Sequence, residues 1–177
     1  MLNDLLLPTY VQMLGALSAW LDKADGIDAV LEKRVAPDMF PLSTQVRFAC
    51  VQAIEGVHRL TTLPLPPLVI VLLDEGRNAA KRSGTIADAK ARIAETIALI
   101  QSIAASGTEL PDDAPIAHEL PQGMVFDLSA RQYARDWALP QFYFHIMAAY
   151  AILRGQGVAL GKADYVAHMM AFLRRDG

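Results

Sequence analysis

Between Val46 and Leu60 the residues Val46, Ala49, Cys50, Ala53, Val57 and Leu60 fall on one stripe at about 100° per residue, the signature of an amphipathic helix. The same spacing returns in three other long segments. Tyr10, Leu14, Leu17 and Leu21, with Met13 and Trp20 beside them, mark a helix over residues 3 to 24. Ile86, Ile93, Ile97, Ile100 and Ile103 or Ala104 mark another, which starts at Thr85 and stops at Gly107. Ala134, Ala138, Gln141, His145, Ala148, Ala149 and Ile152 line the inner face of a fourth, from Ser129 to about Arg154. A helix with one apolar stripe must bury it against another element. Four such stripes in 177 residues predict an all-α fold, a helix bundle forming a single domain over 1–177.

Local signals refine the boundaries. Asn3 and Asp38 are expected as N-caps, with Pro41 in the first turn that Asp38 opens. Thr85 with Asp88, and Ser129 with Gln132, have the spacing of reciprocal capping boxes. Gly26 closes the first helix, "IDAVLEKR" forms a short helical piece after it, and "GQG" stops the fourth. The stretch "TTLPLPPLVIVLL" reads as a proline-rich link into a short helix over about 67 to 80, with a strand as the alternative. "PIAHELPQGMVFDLS" alternates on both sides of "PQG" and predicts a small β-hairpin. A last helix is expected over "KADYVAHMMAFLRR".

Composition excludes several functions. The formal net charge is −3 with both signs mixed, and basic residues cluster in no more than pairs, such as Lys81-Arg82 and Arg174-Arg175. Neither nucleic acid nor an anionic membrane surface is therefore an expected partner. "PPLVIVLL" is far shorter than a membrane span, and "MLNDLLLPTYVQ" has no basic region or cleavage site of a signal peptide, so a soluble cytoplasmic protein is expected. Cys50 is the sole cysteine; it sits on a buried stripe, where a thiol is inert. Serine-nucleophile motifs, phosphate-cradling glycine loops and dinucleotide fingerprints are missing, so no recognisable catalytic set is built and the enzyme question stays open.

Four ordered motifs, "APDMFPL", "ALPQFYFH", "AYAILR" and "GVALGKADY", resemble an uncharacterised bacterial family, a domain of unknown function within the DinB/YfiT-like superfamily of four-helix bundles. The resemblance spans nearly the whole chain. It implies an up-down-down-up bundle, often dimeric, with the hairpin before the fourth helix and short extra helices. It also implies a superfamily that includes metal-dependent enzymes using low-molecular-weight thiols. Their usual metal site is three histidines, one on helix 2 and a pair four residues apart on helix 4.

His145 meets part of that pattern, since its stripe is small and apolar and the ring points inward. Its neighbours four residues away are Gln141 and Ala149, so the helix-4 pair is absent. On helix 2, His58 falls about 140° from Ala53 with Arg47, Val51 and Glu55, on what reads as the solvated face. His118 in the hairpin and His168 in the last helix have no histidine or carboxylate partner at ligand spacing. A three-histidine metal site is not expected, and no cofactor is; a divalent metal on His145 is the weaker alternative. Buried histidine needs a partner, and Gln141, a tyrosine or a backbone carbonyl are the expected ones.

Three functions remain. The first is a homodimeric binding or interaction bundle without the metal triad. The second is a divergent metal-dependent enzyme working with a low-molecular-weight thiol, with His145 as a retained ligand. The third is a small-molecule carrier whose interhelical pocket is lined by His145, Gln141, Tyr143 and Trp137.

Overall fold

The computed structural model describes every residue except 25, 107, 122 and 175–177, and only the backbone of 104–106. The expected helix stop at Gly107, Gln122 of the hairpin turn, Arg175 and the Ala104 side chain lie outside the described residues. Along the chain come α1 (Asn3–Asp22), a 3₁₀ turn (Asp28–Glu32), α2 (Leu42–His58), α3 (Leu68–Asn78) and α4 (Ile86–Ser106). Strands β1 (Pro115–Glu119) and β2 (Val125–Ser129) follow, then α5 (Ala130–Gln132), a π-helical segment (Tyr133–Ala138) and α6 (Leu139–Gly155). A short α7 (Lys162–Tyr165) and a 3₁₀ segment (Ala167–Phe172) complete it.

The bundle consists of α1, α2, α4 and α6, and its core is the set of stripes read from the sequence. Tyr10, Leu14, Leu17, Trp20 and Leu21 of α1 meet Val46, Ala49, Cys50 and Ala53 of α2, Ile93 and Ile100 of α4, and Ala149 and Ile152 of α6. Tyr10 and Phe142 pack edge to face at 4.6 Å between ring centroids, joining α1 to α6. Burial pushes the Cys50 thiol up to about 12, in keeping with an inert side chain.

Both capping boxes form. Ser129 Oγ accepts from Gln132 N at 3.2 Å while Gln132 Oε1 accepts from Ser129 N at 2.9 Å. Thr85 and Asp88 make the same exchange at 3.1 and 2.9 Å. Two expected caps do not form. Helix α1 already begins at Asn3, and its free amides at Leu2 and Asn3 are taken by the Glu109 carboxylate from more than 100 residues away. At α2 the cap position belongs to Pro41, without a side-chain bond, and Asp38 lies in the preceding turn. The expected last helix also gives way. Beyond Tyr165 the chain winds as a 3₁₀ segment with Met169, Met170 and Phe172 exposed.

The region 61–84 resolves as a helix, and α3 is what changes the reading of α2. It lies against α2 closely enough that a Cβ on Gly76 would sit 2.5 Å from the Phe48 ring. Thr44 Oγ1 donates to the Gly76 carbonyl at 2.8 Å. The face of α2 expected in solvent is thereby enclosed. Arg47, Val51 and His58 are only 4%, 2% and 5% exposed, and Glu55 is partly covered. The reading of His58 as a surface histidine is corrected accordingly.

The hairpin pairs β1 and β2 antiparallel, Ile116 opposite Leu128 and His118 opposite Phe126. Gly123, at φ 78°, turns it. Ile116 and His118 alternate inward, so the hairpin lies on the bundle with one histidine beneath it.

Candidate functional site

His145 is 7% exposed and anchored across the bundle: its Nδ1 lies 2.8 Å from Gln45 Oε1 of α2. The partner is neither Gln141 nor a tyrosine, as the sequence suggested. The Gln45 amide nitrogen donates to the Phe40 carbonyl at 3.1 Å, and a carbonyl can only accept. The Gln45 oxygen must therefore face His145, which carries its proton on Nδ1. Burial holds the ring neutral, lowering its pKa from 6.5 to about 4. Phe48 covers it edge-on at 5.5 Å.

These residues do not fit a three-histidine metal site. The helix-2 side chain facing His145 is a carboxamide, and its oxygen is already used. Among the described residues no three His, Cys, Asp or Glu side chains come together as ion ligands.

Of the four residues proposed for an interhelical pocket, Trp137 lines a cleft that His145, Gln141 and Tyr143 do not line. Tyr143 is half-buried beside Phe142, and Gln141, one turn before His145, makes no side-chain hydrogen bond among the described residues. Trp137 points elsewhere, into a cleft of about 390 Å³ between α2, α3 and the hairpin. Gln52, Glu55 and Arg59 of α2, Leu73 and Arg77 of α3, and His118 and Glu119 of β1 complete its walls.

The local sequence explains how these groups converge. Gln52, Glu55 and Arg59 recur at intervals of three and four residues, hence along one face of α2. Trp137 sits on the π-helical segment that ends two residues before Pro140. A π segment turns the side chains that follow away from the ordinary helical register, and such segments recur at functional sites. The His118 ring lies 4.4 Å from Trp137 and 5.4 Å from Tyr133, between centroids, and Phe126 flanks Trp137 at 5.7 Å.

Several buried polar atoms are left over on the residues that line this cleft, as they are at Tyr10, His58 and Thr96 elsewhere. His118 is 3% exposed, yet neither ring nitrogen has a partner among the described residues, and the same holds for Trp137 Nε1, Gln52 Oε1 and Arg59 Nε. Burial and then the nearby Arg59 charge lower the His118 pKa, so the ring is neutral near pH 7. Glu55 and Arg59 pair at 3.5 Å. The sequence pattern missed Gln45, Gln52, Glu55, Arg59, Arg77 and Glu119. It held one usable signal: His118 stands two residues from Ile116 in a strand, and so shares its buried face.

Residues 2–166 match the family model described as Domain of unknown function (DUF1993). None of the curated proteins matches the chain. The chain is similar to a crystal structure described as a DinB family member protein from Shewanella denitrificans. The two are 32% identical, with a TM-score of 0.72 over 94% of this chain and 92% of that one. A family match over most of the chain, together with this likeness in sequence and fold, places the bundle: the protein belongs to the DUF1993 domain family, a DinB-like family of helical bundles.

Proposed function

We propose that the protein is a non-catalytic binding bundle whose cleft between α2, α3 and the hairpin holds a small organic molecule. The supporting observation is the set of partnerless polar atoms of His118, Trp137, Gln52 and Arg59 around one cleft. A buried donor or acceptor without a partner costs about 1–3 kcal/mol, and several at one place are retained at a loss in stability. A ligand that bonds them recovers that loss as affinity. The volume, about 390 Å³, suits a small ligand, and the walls combine the Trp137 ring and aliphatic side chains with several polar and charged groups.

The test is a thermal-shift screen of a metabolite panel against the wild type and the double variant Gln52→Leu/His118→Leu. The expected result is at least one compound that raises the melting temperature of the wild type and leaves the variant unmoved. Compounds that shift both equally, or none that shifts the wild type, would overturn the assignment.

A homodimer is part of the same proposal. Ile70, one turn before Leu73 on α3, is 73% exposed, and Met124, Val125 and Phe126 of the hairpin region are exposed as well. A second copy covering these side chains would remove apolar surface from water beside the cleft. Sedimentation should give a dimer for the wild type and a monomer for Ile70→Glu; a monomeric wild type removes this part of the proposal.

A further inference from the structure

We propose that the cleft ligand is a small aromatic zwitterion of amino-acid type, its ring on Trp137 and His118, its carboxylate on Arg77 and its ammonium on Glu119; this rests on the binding role given to the cleft above. Two unpaired charges of opposite sign line the same cleft from different elements. Arg77 comes from α3 and Glu119 from the end of β1. Neither makes a side-chain ion pair or hydrogen bond among the described residues, with the other or with anything else, although Glu55 and Arg59 between them are paired. The same cleft thus carries one cation and one anion, both exposed and neither paired among the described residues, and a molecule carrying both charges can pair each of them. A guanidinium presents paired donors to a carboxylate, and a carboxylate accepts from an ammonium, so each charge meets its complement.

The floor selects the rest of the molecule. Trp137 and His118, 4.4 Å apart, offer two ring surfaces under neutral conditions. Their free atoms include both kinds: the Trp137 N–H donates only, Gln52 Oε1 accepts only, and the neutral His118 ring has one of each. A purely apolar ring leaves these atoms unpaired. A ring with a hydroxyl, which both donates and accepts, can meet atoms of both kinds.

L-Tyrosine is the probe, titrated into ¹⁵N-labelled protein while the Trp137 indole N–H signal is followed, assigned by its loss in Trp137→Phe. Two truncated probes accompany it: tyramine, which lacks the carboxylate, and 3-(4-hydroxyphenyl)propionate, which lacks the ammonium. The expected result is that L-tyrosine moves the Trp137 signal and each truncated probe binds about tenfold more weakly, the loss of one charge-assisted contact. In Arg77→Gln, L-tyrosine and tyramine should become equal; in Glu119→Gln, L-tyrosine and the propionate should. If the propionate or tyramine matches L-tyrosine on the wild type, or if none of the three moves the signal, the zwitterion is wrong. That failure is separable from failure of the cleft itself, since a panel compound whose shift depends on Gln52 and His118 would leave the binding role standing.

Discussion

The first turns of α2 and its later turns treat polar side chains in opposite ways, fully buried at the start and, at Gln52 and Arg59, only partly covered. At the start of the helix every such group has a partner. Ser43 Oγ donates to the Ser83 carbonyl at 2.6 Å, Thr44 to Gly76, and Gln45 bridges Phe40 and His145. Arg47 reaches Ser43 Oγ at 3.0 Å and Glu75 at 3.4 Å. Farther along, Gln52 Oε1 and Arg59 Nε have no partner among the described residues, and they line one cleft with His118 and Trp137, whose ring nitrogens are in the same condition. A fully connected network fixes how α3 and α6 dock on α2. A group left without a partner in a cleft wall is a place where structure has been given up, and binding is the use we propose for it. The histidines mark the two cases: both are buried, but His145 is bonded into the scaffold, while the ring nitrogens of His118, in the cleft wall, have no partner among the described residues.

The largest effect expected from this contrast is on acid stability. The His145 pKa is lower when folded, about 4, than its ordinary value of 6.5. The unfolded chain therefore binds more protons between those values. The stabilisation is present in full above pH 6.5 and is lost as the pH falls toward 4, by up to about 3 kcal/mol. Denaturant melts across that window should show the slope in the wild type and in His118→Leu, and a clearly smaller slope in His145→Gln. Equal slopes in all three would break the distinction between the bonded and the unpartnered histidine.

Substitution by leucine should then give opposite signs at the two sites. His145→Leu leaves the Gln45 oxygen buried without its partner and should cost about 2 kcal/mol in chemical denaturation. Gln45→Leu should cost a similar amount, and the double variant should recover part of it, because both partners are then apolar. His118→Leu removes a buried group that has no partner, and should be neutral or stabilising by about 1 kcal/mol. A destabilised His118→Leu would show that this ring belongs to the scaffold after all. The smallest effect is expected at Arg77, exposed and unpaired: Arg77→Gln should stay within about 0.5 kcal/mol of the wild type, so any loss of binding there is a loss of contact and not of fold.

The sequence by itself determined the bundle. The stripes of α1, α2, α4 and α6 are the core, the boxes at Thr85 and Ser129 open their helices, and the alternation around "PQG" forms the hairpin, since periodicity and capping are written within a few residues of one another. It also placed His145 inside, because one helical face decides that. It could not place the partner of that histidine, which comes from 100 residues away. Nor could it show that α3 and the hairpin close over the polar face of α2, burying Arg47 and His58 and opening the cleft at His118. A periodic pattern tells which side of a helix is apolar. Whether the polar side meets water or another element depends on how short, weakly patterned segments pack, and only the tertiary structure decides that.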